Sequence, residues 1–207
     1  MRQQATRELL AYWNRLRGDE LAPDRADVDL AAIRGTLSDL FMLDLDAAHQ
    51  FPFLMAGTRL NAFFCTEQLG RSFLGLWQPQ DARNVAVALM TAIDAACPIL
   101  AAVNASPEGY RDADIEILLL PLRHGGYAAS RLLGLATPAA QPPVGWSFTC
   151  HALQIARLAY DRSTAELGEY EQGFGISFRG ENANKRTARG HSRTSARFRR
   201  RQVDAAT

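Results

Sequence analysis

The sequence predicts an α+β fold: a five-stranded antiparallel sheet with helices over one face, a helical segment before it and a basic tail after it. Three observations carry this prediction. Apolar residues recur at three- and four-residue steps near the start and again from Asp81 to Cys97, the mark of amphipathic helices. Five short apolar runs lie between clusters of turn residues and read as strands. Short turns join these runs as a pair and then a trio, with no alternation of strand and long helix, so the sheet is antiparallel.

The first helix runs over about Gln3 to Arg17, with Leu9, Leu10, Trp13 and Leu16 on one face and Gly18 as its stop. LAPDRADVDL is a polar link. Asp29 is placed to cap a second helix reaching Ser38, with Leu30, Ile33 and Leu37 inward. Phe41–Asp46 and Phe51–Gly57 form a hairpin about the turn AAHQ, and a short helix starts at Thr58. Gly70 and Gly75 break the next stretch into short pieces. Asp81–Cys97 is the clearest helix, with Val85, Leu89, Ala92, Ile93 and Ala96 on one face and Pro98 beyond it. Ile99–Ala105, Ala113–Leu122 and Tyr127–Thr137 are the remaining strands, the last two joined through His124-Gly125-Gly126. Trp146–Tyr160 is apolar, and its periodicity does not decide between strand and helix. The division expected is a helical segment over 1–38, a sheet domain over 39–160 and a basic tail over 161–207.

The chain has 207 residues, 47% of them hydrophobic, enough for a sizeable core. Its net charge of +1 hides an asymmetry. From Arg179 onward nine basic residues face Glu181 and Asp204, so this end carries +7 and the preceding residues −6. The end is rich in Arg, Ser and Asn and reads as disordered. Such a tail suits nucleic acid, an anionic membrane or self-association, but the favoured reading is a solvated tail with no specific target. Cys65, Cys97 and Cys150 are odd in number, widely spaced and free of any Cys/His ligand pattern, which argues against a structural zinc and for a reducing compartment. The start lacks a signal-peptide core, and no apolar run has the length of a membrane span. The expectation is a cytoplasmic protein.

Gly57–Trp77, GTRLNAFFCTEQLGRSFLGLW, concentrates aromatic residues between glycines. With Phe51 and Phe53, the rings of Phe63, Phe64, Phe73 and Trp77 either fill a cup or line one, and Thr58, Arg59 and Asn61 are the polar groups that would serve a small apolar ligand there. Filling is favoured, because few small residues face the rings. Catalytic patterns are missing. Gly70 and Gly75 around Ser72 are five apart, whereas a nucleophile elbow needs four. No dinucleotide or P-loop glycine pattern occurs. Asp112 and Asp114 read as a solvated strand face. His49 and His124 lie in turns. His151, in an apolar segment, reads as a hydrogen-bonded core residue before a haem ligand. No motif requires a cofactor or metal.

The pieces LLAYWNRLRG, AGTRLNAFFCTEQLGRSFLGLW, EILLLPLRHGG and RLLGLATP, in this order over about Leu9–Pro138, resemble a family of small bacterial PAS-domain proteins found mainly in alphaproteobacteria, PAS_5 or DUF1457. The family carries Phe-Gly-Arg-Glu-Leu where this chain has Phe64-Cys65-Thr66-Glu67-Gln68. The resemblance implies a sensory or signalling fold and no particular ligand. It also implies a first helix, bearing Leu9, Leu10, Trp13 and Leu16, that packs on the sheet or on a second copy. In light-sensing PAS relatives the flavin-reactive Cys sits in an Asn-Cys-Arg-Phe context. The context here is Phe64-Cys65-Thr66-Glu67, so no photoadduct is expected. The function expected is a non-enzymatic regulatory module working through a signalling partner or a homodimer. The alternative is a nucleic-acid-associated regulator using the Arg-rich tail.

Overall fold

The structure is a computed structural model and describes residues 3–105, 113–125 and 129–139, together with the backbone of 153–160. The expected disordered tail and His151 lie outside the described residues. The chain runs α1 (Gln4–Arg17), two 3-10 turns (Arg25–Asp27, Leu30–Thr36), β1 (Leu40–Asp44), β2 (Phe53–Ala56), α2 (Thr58–Phe63), a 3-10 turn (Phe73–Leu76), α3 (Pro79–Ala95), β3 (Ile99–Ala105), β4 (Ala113–Arg123), β5 (Ala129–Pro138) and β6 (Leu153–Tyr160). The sheet order is β2-β1-β5-β4-β3-β6, every pair antiparallel. The five expected strands all form. The segment that periodicity left open supplies a sixth strand beside β3.

Local chemistry explains the boundaries. Gly18 ends α1 at φ 54°, ψ −123°, which glycine adopts without strain. The expected second helix is a 3-10 segment with a kink at Ile33 (φ −118°, ψ 24°), capped by Asp29, whose Oδ1 accepts from the Ala31 N–H at 2.8 Å. Three residues per turn and the kink shift its apolar stripe. Ile33 is buried, whereas Leu37, expected inward, is 37% exposed. The first hairpin is shorter than expected because Asp46 Oδ1 accepts from the N–H groups of Gln50 and Phe51, holding Phe51 at φ 50° and out of the strand. Pro79 opens α3, and Ala96 ends it in the left-handed region at φ 49°.

The sheet is buried on both faces. Phe41, Leu43, Ile115, Ile117, Leu119, Leu132 and Ala136 face a cup closed by α2, the 3-10 turn Phe73–Leu76 and α3. Their strand neighbours Leu40, Met42, Leu118, Leu120, Leu122, Leu133 and Leu135 point the other way, against Leu9, Leu10, Tyr12 and Trp13 of α1 and Val28 and Ile33. Helices thus cover one face as expected, and the N-terminal segment covers the second. Polar anchors fix that segment. Trp13 Nε1 donates to the Pro121 carbonyl at 2.8 Å, and Arg123 Nε to the Ala22 carbonyl at 2.8 Å. Leu9, Leu10 and Trp13 are therefore committed to the sheet of their own chain, with Leu16 packed partly buried beside them.

Gly134 marks the centre. It lies directly across from Phe41 in the β1–β5 ladder, and a Cβ built on it would overlap the Phe41 ring. A glycine in a strand interior weakens it unless another group lies close over the backbone, and here that group is Phe41. Gly134→Ala should therefore destabilise the fold by about 1–3 kcal/mol through overpacking. Phe41→Leu in the same chain should recover part of that loss. Urea denaturation of the two single variants and the double variant reads the coupling, and strict additivity would mean the ring can step aside.

Candidate functional site

The cup holds the aromatic residues that the sequence concentrates. Phe41, Phe53 and Phe73 form a mutual cluster: Phe41 stacks on Phe73 at 5.7 Å between ring centroids, and Phe53 meets both edge-on at 5.6 and 5.8 Å. Trp77 meets Phe73 edge-on at 5.7 Å. Such pairs contribute about 0.5–1.5 kcal/mol each beyond their buried area. Phe51, Phe53, Phe63, Phe73 and Trp77 are buried and Phe64 is partly buried. The Trp77 Nε1–H is buried with no hydrogen-bond partner among the described residues.

The rings fill the cup. Among the described residues they leave a void of about 10 Å³, bounded by Phe41, Leu60, Phe63, Phe64, Phe73, Leu76, Ile115, Ile117 and Ala136. That is about the space one water's centre occupies, and a water needs polar partners that this all-carbon wall does not offer. Phe41, Leu60 and Leu76 belong to the wall without having been singled out from the sequence. For Leu60, Phe63 and Phe64 the signal was present: positions i, i+3 and i+4 share one face of α2.

The polar residues expected at the ligand lie elsewhere. Thr58 is exposed at the first turn of α2. Asn61 Oδ1 accepts from the Gln68 N–H at 3.1 Å, tying α2 to the loop after it. Arg59 Nη1 donates to Asp39 Oδ2 at 2.6 Å, joining α2 to the start of β1. The backbone meets there as well: the Arg59 N–H donates to the Ser38 carbonyl at 2.8 Å and the Gly57 N–H to the Leu40 carbonyl at 2.7 Å. A Cβ on Gly57 would overlap the Leu37 and Ser38 carbonyl oxygens. Asp39 is buried, and its Oδ1 has no partner among the described residues. Burial raises its carboxyl above the ordinary carboxylate value, and the Arg59 charge offsets this only in part.

Cys65 comes just after α2 at φ 48°, a left-handed conformation, at the position where the resembled family carries glycine. His49 and His124 are exposed. Among the described residues no group of three or more His, Cys, Asp and Glu side chains is placed to hold a metal ion. Nor is any helix among them long and apolar enough to cross a membrane.

The raised Asp39 carboxyl has a definite sign. The folded state holds that proton more tightly than the unfolded chain, so this group's contribution to stability falls as pH rises from the ordinary carboxylate value through the raised one. Asp39→Asn should flatten this fall. Arg59→Ala should steepen it, move it to higher pH and cost about 1–2 kcal/mol at pH 7, a low figure because the guanidinium is half exposed. Chemical denaturation of the three proteins from pH 4 to 8 checks both statements.

Phe73 touches three other rings, so Phe73→Ala should cost about 3–5 kcal/mol and open an apolar cavity. Benzene or indole should then raise the melting temperature of the variant and leave that of the parent unchanged. An equal rise in both would mean that the parent cup already admits such a ligand.

No curated protein matches the chain. Solved structures similar to it include the dark structure of the blue-light photoreceptor Aureochrome1 LOV, with TM-score 0.42 and 15% identity over 54% of this chain and 83% of that one. The Rhodobacter sphaeroides LOV protein is similar with TM-score 0.42 and 13% identity over 69% and 71%. An RNA-binding Light-Oxygen-Voltage receptor has TM-score 0.39 and 18% identity over 58% and 36%. At these scores no ligand or mechanism is carried over. A family model described as a PAS domain, PAS_5, matches residues 1–137. That match spans both N-terminal turns, the cup and all but the last residue of β5, and the chain belongs to this PAS-domain family.

Proposed function

We propose that the chain is a cytoplasmic, non-enzymatic regulatory module of the PAS type that acts through protein–protein contact. The observation that carries this reading is the filled cup: nine apolar residues close around a void of about 10 Å³, too small for a flavin or haem in this packing. A signal must then work through the packing itself. A small apolar ligand would enter only by displacing a ring, and Phe64, partly buried at the rim, has the most room to move. A ligand that favours one of two ring packings shifts their populations, and the change reaches partners through α2 and the elements tied to it. The Asp39–Arg59 pair and the backbone contacts at Gly57 supply such a tie between the rim and the N-terminal segment. The absence of catalytic motifs in the sequence supports the non-enzymatic half of the reading.

Native mass spectrometry with an absorption spectrum of the purified full chain tests the proposal. The expected result is the mass of the bare chain, or a whole multiple of it, with no visible band. A bound flavin or haem would overturn the filled-cup reading. Copurifying nucleic acid that is lost at high salt would instead favour the alternative, in which the nine basic residues from Arg179 onward neutralise phosphates.

A further inference from the structure

The outer sides of β2 and β3, toward the two ends of the sheet, are covered in different ways. The β2 edge is covered by the loop between α2 and the turn Phe73–Leu76. The Phe53 N–H donates to the Arg71 carbonyl at 2.9 Å, the Gly70 N–H to the Phe53 carbonyl at 2.8 Å and the Phe73 N–H to the Phe51 carbonyl at 3.1 Å. This cover is part of the cup, because Phe73 belongs to the ring cluster.

The β3 edge has no such loop among the described residues. Its sequence, ILAAVNA, contains no charge and no proline, the two usual devices that keep an edge strand from pairing with a foreign chain. What covers it is β6, register-paired with β3 from Ile99↔Tyr160 to Ala105↔Leu153. β6 lies wholly beyond the part of the chain that matches the family. Among the described residues no other helix or strand packs extensively on its backbone. Its hold among the described residues is a ladder along one edge, with a register irregularity between Ala102 and Val103. An element held in this way opens at a lower free energy than the core.

The connection is long for the distance it must bridge. β5 ends at Pro138 and β6 starts at Leu153. The chain between them must cross three strand spacings, about 14 Å. The fourteen residues 139–152 can span about 46 Å when extended. A tether some three times longer than its task lets β6 leave its own β3 while the cup stays intact, and it gives β6 the reach of a neighbouring molecule.

We propose that β6 is an exchangeable strand: it pairs with its own β3 or, in a dimer, with the β3 of a second copy of this chain. The occupant of the edge is the same in both states, since β6 already fits it residue by residue, so exchange keeps every ladder bond and adds a contact between copies. Swapping an identical element between protomers is a low-cost route to a dimer, and adding a strand to an open edge is an established mode of recognition. The exchange rests on the ladder and the tether, not on the regulatory reading above.

The test uses the full chain with Cys65→Ser, Cys97→Ala and Cys150→Ser as background. One preparation carries Ala102→Cys, an exposed position of β3, and the other carries Arg157→Cys, its register partner in β6. The two are mixed, incubated and oxidised, and the disulfide between unlike chains is read by mass. Val87→Cys, 55% exposed on α3, mixed with the Arg157→Cys chain gives the collisional background. The register-matched pair should exceed that background by at least about tenfold, because exchange converts collision into a held contact. A yield no higher than background overturns the proposal and leaves β6 a fixed cover. Leu100→Cys with Ala159→Cys, a matched pair two positions along the ladder, repeats the measurement should either first variant lose its fold.

Discussion

The fold depends on one close approach, the ring of Phe41 over the bare backbone of Gly134. β1 and β5 are adjacent inner strands of the sheet, and the missing side chain at Gly134 lets a ring lie there without lifting the sheet. Phe73 then stacks on Phe41, Phe53 closes the angle between them, and Trp77 leans on Phe73. The turn Phe73–Leu76 is held over the sheet by its own aromatic residue, and α3 continues from it across the cup. A side chain at Gly134 would push Phe41 toward Phe73, and the displacement would pass from ring to ring. The same nesting explains why the cup is not a pocket: three mutually packed rings and a Trp take up the space between sheet and helices.

The second face sets a different constraint. α1 buries Leu9, Leu10 and Trp13 on Leu118, Leu120, Leu122, Leu133 and Leu135, and the Trp13–Pro121 hydrogen bond fixes its position along β4. Each such side chain is worth about 1.5–3 kcal/mol of burial. A second copy that used this apolar face would first have to strip three of them from the sheet. The dimer contact that the resemblance suggested for the first helix is thus opposed, in this packing, by the helix's own intramolecular interface. The exposed side of α1 carries no such penalty.

Much of this was legible in the sequence, for identifiable reasons. The helices showed through three- and four-residue spacing, and the strands through turn residues at their ends. The run ILLLPL in β4 also contained the covered second face: a strand apolar on successive residues is buried on both sides, whereas one solvated face would have alternated. The expected role of Thr58, Arg59 and Asn61 rested on their closeness in sequence to the rings. α2 is helical, however, so Thr58 lies opposite Leu60 and Phe63, and Arg59 and Asn61 fall on its two flanks. Phe41 and Gly134 lie far apart in the chain, and nothing local to either marks the other. Their pairing arises only when β1 and β5 are in register, so the size of the void was not readable before the fold was known.

The rim turn is held by long bonds. The Phe64 N–H donates to the Leu60 carbonyl at 3.4 Å, the Cys65 N–H to Ala62 at 3.3 Å and the Thr66 N–H to Asn61 at 3.2 Å. These are long beside the usual 2.9–3.0 Å and beside the 2.8–2.9 Å bonds that hold the next stretch, Gly70 and Arg71, to β2. In the same turn Cys65 is held left-handed, which costs a residue with a Cβ about 1–2 kcal/mol and would cost glycine almost nothing. Weak turn bonds and a strained residue thus adjoin Phe64, whose half-buried ring bounds the void. The opposite wall, built from paired strands and from Phe41 over Gly134, has none of these features. The rim is joined to the rest of the chain at two places: Asn61 ties α2 to the loop after it, and Arg59 and the Gly57 junction tie α2 to the start of β1.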